Sequence, residues 1–127
     1  MRGGLRMSLR KPSRKKQEEL IAKEIEKWNA LFKEISEDKR KVAQRLIEEA
    51  AFMKVTLDIL KVNIQLDGPT YKFKQGKQEM IIENPAQKSY IQMINRYNTV
   101  CNSLFNLLPE DKKKEEDDGF EEFLRRR

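Results

Sequence analysis

Apolar residues recur along much of the chain with the three- and four-residue spacing of an amphipathic helix. In residues 15–35 they fall within an arc of about 140° when successive side chains are set about 100° apart. The remaining positions are mostly charged, so the segment is predicted to be a helix that buries one face. The apolar residues of that face are Leu20, Ile21, Ile25, Trp28, Leu31, Phe32 and Ile35.

A second, longer helix is predicted over residues 37–66. Ser36 is a suitable N-cap because acidic residues follow it, and Gly68-Pro69 would end the helix. The second half carries two apolar stripes, and the chain is too short to cover both. One stripe is therefore predicted to contact another subunit. This stripe consists of Phe52, Val55, Ile59, Val62 and Leu66.

A β-hairpin and a third helix are predicted in the second half of the chain. In residues 70–82, apolar and lysine residues alternate around a glycine-containing turn, as in paired strands. Asn84-Pro85 then gives an N-cap and a first helical residue, with Gln87 as the partner in a capping box. The helix should end at Leu108. The predicted fold class is mainly α: a long helical hairpin and a third long helix, with a short β-hairpin between helices two and three.

The distribution of charge divides the chain into three regions. The formal net charge is +6, but residues 1–16 contain seven basic residues and no acidic residue. With little apolar material to bury, this region is predicted to be a flexible basic arm, followed by a helical oligomerisation core over 17–109. The basic residues of the arm are Arg2, Arg6, Arg10, Lys11, Arg14, Lys15 and Lys16.

The last region, residues 110–127, combines blocks of charge with a short apolar group. The charged blocks are typical of a disordered tether, whereas the apolar residues have helical spacing. We interpret the region as a charged tail with a short recognition segment. Its apolar residues are Phe120, Phe123 and Leu124.

The composition excludes several kinds of site. The chain has no His and a single Cys, so Cys/His zinc sites, disulfide frameworks and His-based catalysis are excluded. The sequence shows neither a glycine-rich phosphate loop nor a nucleophile motif, and Cys101 lies in an apolar stripe. We therefore expect a protein that is not an enzyme and uses neither a metal nor a cofactor. Because no long apolar run is present, we also expect no contact with a membrane and an intracellular location.

The residues alone leave three functions open. Several copies of the basic arm on one oligomer would bind nucleic acid through phosphates, with a steep dependence on salt. A helical interaction or scaffolding module would instead use the arm only for solubility. A small DNA-binding regulator is the third possibility, although the pattern contains no helix-turn-helix recognition element.

Two longer runs of sequence resemble a known family. They are SEDKRKVAQRLIEEAAFMKVTLDILKVNIQLDG at 36–68 and ENPAQKSYIQMINRYNTVCNSLFNLLP at 83–109. Together with Trp28-Asn29, they are similar to terminase small subunits of tailed bacteriophages, in the helical group of that family. The similarity extends over roughly residues 17–109.

The resemblance implies a non-catalytic component of viral DNA packaging in the cytoplasm of a bacterial host. Such a protein would form a homo-oligomeric ring, bind double-stranded viral DNA, and recruit and regulate the large terminase subunit, which holds the ATPase and nuclease. Under this hypothesis the basic arm binds DNA and the second stripe of the long helix joins subunits. The apolar group of the tail would contact the large subunit.

Overall fold

The computed structural model describes residues 9–109 of the chain. This part is mainly helical, with three helices and a two-stranded antiparallel sheet between the second and third helices, so the predicted mainly α fold class with a β-hairpin at that place is confirmed. The helices and strands are α1 (Arg14–Leu31), α2 (Glu37–Asp67), β1 (Thr70–Gln75), β2 (Gln78–Glu83) and α3 (Pro85–Asn106).

Helix α1 stops short of Ile35, where the apolar spacing predicted its end. After the helix, the N–H of Phe32 donates a hydrogen bond to the carbonyl oxygen of Asn29 at 3.2 Å, within a turn. Phe32 and Ile35 are both buried. The turn therefore delivers two apolar side chains to the core, and the spacing identified buried positions that extend beyond the helix itself.

Helix α2 matches its predicted bounds to within one residue at its end and packs against both α1 and α3. Ser36 is the N-cap with extended backbone, but its side chain makes no capping hydrogen bond. Gly68 ends the helix with φ +82°, a left-handed value that favours glycine, and its N–H donates to the carbonyl oxygen of Ile64 at 2.7 Å. With 31 residues, the helix is about 45 Å long.

Helix α3 begins at the predicted Asn-Pro pair, with different capping contacts from those expected. The side-chain oxygen of Asn84 accepts from the N–H of Ala86 at 3.0 Å. The N–H of Asn84 donates to the carbonyl oxygen of Pro69 at 2.8 Å. Because that N–H is the group a capping box would use, the predicted box with the side chain of Gln87 is wrong; Gln87 contacts Asn84 through its backbone N–H instead.

The core lies where α1 and α3 pack against α2. The rings of Trp28 and Phe32 have centroids 6.3 Å apart and are tilted by 39°. Three buried alanines, Ala43, Ala50 and Ala51, keep the contact surface of α2 small enough for close approach of its neighbours. Other buried members of the core are Ile47, Leu57, Tyr97, Cys101, Leu104 and Leu108.

The β-hairpin projects from the end of the helical core. Its strands pair with Phe73 opposite Met80, and the two residues between them are Gly76 and Lys77. Gly76 has φ +64°, as expected for glycine at the first position of a two-residue hairpin turn. The predicted hairpin is confirmed, and every strand residue is exposed except Ile82, which is half-buried.

Candidate nucleic-acid interface

The described part of the basic N-terminal segment is anchored at the start of α1. The hydroxyl of Ser13 accepts a hydrogen bond from the N–H of Lys16 at 3.1 Å, and its carbonyl oxygen accepts from the N–H of Gln17 at 3.0 Å. The side-chain amide of Gln17 donates back to the carbonyl oxygen of Pro12 at 2.9 Å, and Pro12 is buried. A polar N-cap of this kind stabilises a helix by about 1 kcal/mol.

A second group of contacts joins the segment to the end of α2. Nη2 of Arg10 donates to Oδ2 of Asp67 at 2.6 Å. Nδ2 of Asn63 donates to the carbonyl oxygen of Arg10 at 3.0 Å. The sequence predicted one flexible arm over 1–16; of its described residues, Arg10 contacts the end of α2, and residues 14–16 belong to α1. Arg2 and Arg6 lie outside the described residues.

The fixed segment presents a cluster of positive charge. Lys11, Lys15 and Lys16 are exposed and make no ion pair within residues 9–109. Arg14 pairs with Glu18 at 3.0 Å, but both side chains are largely exposed, so water and salt weaken the pair. The first turn of α1 has no acidic residue, although the helix dipole favours negative charge there. The helix start and its bases therefore attract anions such as phosphate.

A second basic cluster lies at the other end of α2, roughly 30 Å away along the helix. It consists of Lys39, Arg40, Lys41 and Arg45, all exposed. Nη2 of Arg40 donates to the carbonyl oxygen of Lys33 at 3.2 Å, and two acidic residues share the first turn of α2. These contacts account for part of the cluster as ordinary helix-surface charge.

The five residues predicted to join subunits do not form one uncovered stripe. Val55 is only 4% exposed, and Ile59 and Val62 are half-buried. Phe52 remains 52% exposed, and Leu66 is also exposed. The surface available to another subunit on this side of α2 is therefore divided between its middle and its end.

Helix α1 and the N-terminal segment cover the interior part of that stripe. Val55 and Ile59 line a cleft together with Leu20 of α1 and Leu9 of the N-terminal segment. Because the sequence predicts a separate arm over 1–16, the position of Leu9 beside Val55 and Ile59 was not expected. The apolar spacing identified the stripe, but it gave no information about which neighbour would cover it.

An unpredicted ion pair lies on α2 beside this cleft. Nζ of Lys54 donates to both carboxylate oxygens of Asp58, at 2.7 and 2.8 Å. The Lys54 side chain is 9% exposed and that of Asp58 is 44% exposed. Their four-residue spacing is the available sequence signal, because it places the two side chains on adjacent turns. The carboxylate of Asp58 therefore balances the charge of the Lys54 ammonium group, which would otherwise be buried without an ionic partner.

The buried thiol of Cys101 is poorly suited to act as a nucleophile. The pKa of Cys101 is raised to about 12, mainly by burial; a hydrogen bond with Tyr97 acts in the opposite direction, and nearby Glu24 adds a smaller upward contribution. The pKa of Tyr97 is also raised well above its ordinary value, mainly by burial and then by Cys101. Cys101 is therefore a protonated core residue at neutral pH, and the thiolate needed by a nucleophile is disfavoured.

The described residues give no sign of a metal site or a membrane span. Within 9–109, no three Asp, Glu or Cys side chains come together as possible metal ligands. No helix in the same range has the length and apolar character needed to cross a bilayer. The residues assigned to a partner contact in the tail, Phe120, Phe123 and Leu124, lie outside the described part.

Comparison of the chain with protein-family models, with curated proteins and with solved structures finds no match.

Proposed function

We propose that this chain is the small subunit of a tailed-bacteriophage terminase. It acts as a non-catalytic packaging component that assembles into a ring and binds double-stranded viral DNA. It also recruits and regulates the large subunit, which carries the ATPase and nuclease. Three observations support this function: the sequence resemblance over roughly 17–109, the helical fold, and the basic surface at the start of α1.

The placement of Lys11, Lys15 and Lys16 is the observation that carries the DNA-binding part of the proposal. These three bases are exposed and lack ion-pair partners among the described residues. They also surround a helix start whose dipole is positive, an arrangement that opposes helix stability and favours a bound polyanion. Repetition of this surface around a ring would multiply the phosphate contacts on one duplex.

Exposed apolar residues support the assembly part of the proposal. Phe52 on α2 is 52% exposed, and Ile91 on α3 is 50% exposed. Isolated exposed apolar side chains are common, but these lie on the two longest helices of a small chain. Contact with another copy would remove their apolar surface from water, which is the main source of stability in subunit interfaces.

The salt dependence of DNA binding tests this function. We compare the wild type with Lys11→Gln/Lys15→Gln/Lys16→Gln on a duplex of mixed sequence. The matched control is Lys39→Gln/Lys41→Gln/Arg45→Gln, which removes the same charge from the other end of α2. The first variant should reduce the slope of log K against log salt by about 3 for each chain that contacts the duplex. The control should retain a slope close to that of the wild type.

The outcomes separate the candidate functions. Equal losses in both variants would mean that net charge alone governs binding, and would remove the N-terminal segment from the mechanism. Absence of DNA binding by the wild type at low salt would favour a scaffolding module. Tight binding restricted to one duplex sequence would favour a transcriptional regulator.

A further inference from the structure

An apolar groove runs along α2 on the side where α1 and the N-terminal segment meet it. It consists of two clefts, of about 190 and 330 Å³, which share Leu9 and Asp58 and therefore lie next to each other. An apolar cavity of about 150 Å³ is enough to hold benzene, so each cleft has room for an aromatic side chain. The apolar side chains along the groove are Leu9, Leu20, Val55, Ile59 and Val62.

The rim of the groove carries two lysines without an acidic partner among the described residues. The two acids of the rim, Glu24 and Asp58, are each paired with a lysine of their own helix, at 3.5 and 2.7 Å. Lys23 and Lys61 make no ion pair within residues 9–109, and Lys61 is half-buried. A partly buried ammonium group is stabilised by a nearby carboxylate. The groove therefore favours an apolar ligand that also brings carboxylates.

The C-terminal tail has both of these properties in its sequence. Phe120, Phe123 and Leu124 occur at positions i, i+3 and i+4, the spacing with which an amphipathic helix enters a groove. Two glutamates stand between the two phenylalanines. Residues 1–8, the other part of the chain outside the described range, contain two arginines and no acidic residue. They would leave the two rim lysines without a carboxylate, so the tail is the better ligand.

The described part of the chain ends close enough for the tail to reach the groove. Asn84 bonds to Gly68 and Pro69, so α3 starts beside the end of α2 and runs back along it. Its 22 residues measure about 33 Å, which places its end roughly 20 Å along α2 from the groove. Ten residues, 110–119, precede Phe120 and can extend to about 33 Å. The linker is therefore longer than the distance it has to span.

We propose that residues 120–124 of this chain bind in the groove of α2. The two phenylalanines enter the two clefts, and the glutamates between them pair with Lys23 and Lys61. Removal of the rings from water stabilises the docked tail. Because the tail and the groove belong to one chain, the association is intramolecular, and a small contact surface is enough to populate it.

Docking regulates the contact that the proposed function assigns to the same tail segment. This consequence rests on the proposed function, whereas the docking itself does not. The groove and the large terminase subunit compete for the apolar side chains of the tail. The apparent affinity for the large subunit is therefore reduced in proportion to the fraction of tails that are free.

Coupling of lysines to carboxylates by a carbodiimide, which adds no spacer, tests the docking in the full-length protein. Peptide mass spectrometry should find the glutamates at 121 and 122 joined to Lys23 or Lys61. Lys39 and Lys41 are internal controls, since both are exposed near the start of α2. They lie nearer than the groove to the level at which α3 ends, so an undocked tail should react with them at least as often.

A pair of tail variants shows whether the apolar side chains hold the tail in the groove. Phe120→Ser/Phe123→Ser keeps every lysine and carboxylate but removes both rings. Its coupling to Lys23 and Lys61 should fall at least about tenfold, because burial of the two rings is lost. The matched control, Asp117→Asn/Asp118→Asn, changes the linker and leaves the rings in place. This control should keep the coupling of the wild type.

Three results would overturn the docking within one chain. The first is coupling to Lys39 and Lys41 as strong as coupling to Lys23 and Lys61. The second is unchanged coupling in the variant that lacks both rings. The third is a tail-to-groove linkage found only in products with the mass of two chains, instead of the 15.1 kDa of one chain. That result would assign the groove to the tail of a neighbouring copy.

The large subunit tests the competition separately. Lys23→Gln/Lys61→Gln weakens docking and leaves the tail intact, so half-maximal stimulation of the ATPase should need a several-fold lower concentration of this protein. Lys39→Gln/Lys41→Gln removes the same charge and should match the wild type. Equal values for all three proteins would overturn the competition and leave the docking intact. Absence of stimulation by every form, with the tail-to-groove linkage present, would overturn the proposed function alone.

Discussion

The guanidinium of Arg10 donates a 2.6 Å hydrogen bond to the carboxylate of Asp67, which lies 57 residues later in the chain. Asp67 is the last residue of α2, and the β-hairpin begins three residues beyond it, at Thr70. The basic N-terminal segment and the hairpin are therefore anchored at the same end of α2.

Loss of the Asp67 carboxylate is expected to strengthen DNA binding. Asp67→Asn removes a negative charge beside the basic segment and leaves the Arg10 guanidinium available to a phosphate. The ion pair is about one-third exposed, so the free energy of unfolding should fall by no more than about 1 kcal/mol. DNA affinity is measured by fluorescence anisotropy at several salt concentrations, and stability by urea denaturation.

Glu49→Gln is the control for this prediction because it removes the same charge from an exposed site in the middle of α2. It should increase DNA affinity less than Asp67→Asn does. Equal effects of the two variants would show that only net charge matters and that Arg10 does not contact DNA.

The N-caps of α3 (Asn84) and α2 (Ser36) should differ in their contribution to stability. Asn84→Ala removes the cap of α3 and the bond to Gly68 at a buried site, and should lower the free energy of unfolding by about 2 kcal/mol. Ser36→Ala should lower it by only a few tenths of a kcal/mol, since the Ser36 side chain makes no capping hydrogen bond. Urea denaturation of both variants measures the difference, and equal losses would contradict these capping contacts.

The buried thiol should make stability fall at alkaline pH. The unfolded chain ionises Cys101 near its ordinary pKa of 9.0, whereas the folded chain keeps it protonated until about pH 12. The contribution is therefore fully present below pH 9 and is lost as the pH rises toward 12, at up to about 1.4 kcal/mol per pH unit. Cys101→Ala should show a shallower decline in urea denaturation between pH 9 and 11. Parallel curves for the two proteins would contradict the raised pKa.

The tail should matter for the large terminase subunit and not for assembly or DNA binding. Removal of residues 115–127 deletes Phe120, Phe123 and Leu124, the apolar group assigned to that contact. We expect wild-type molar mass and DNA affinity, with reduced stimulation of the ATPase of the large subunit. A matched control is Phe120→Ser/Phe123→Ser/Leu124→Ser in the full-length chain, which keeps the charges. Full stimulation by both proteins would reject a role for the tail.

Local signals predicted where α2 ends and α3 begins better than they predicted the contacts that the same residues make with distant parts of the chain. Gly68 ends α2 and Asn84 caps α3, as the sequence predicted. Both effects depend mainly on residues that are close in sequence. The capping box failed because the N–H of Asn84 bonds to Pro69, a contact across the base of the hairpin. Nothing in the spacing around Asn84 reports such a contact.

The candidate sites were harder to predict because they depend on tertiary packing. The bases of the N-terminal segment were evident from composition, but the contact of Arg10 with Asp67 joins distant parts of the chain. Likewise, Val55 has the spacing of an interface residue, yet α1 and the N-terminal segment bury it. Periodicity identifies the faces that need covering, and only the folded chain shows which of them remain uncovered.

Native mass spectrometry of the full-length protein mixed with a short duplex tests the central claim most directly, because one spectrum reports both assembly and DNA binding. The account predicts a single predominant assembly of several 15.1 kDa chains, together with the same assembly carrying a duplex. A spectrum that contains only single chains, with or without DNA, would contradict it.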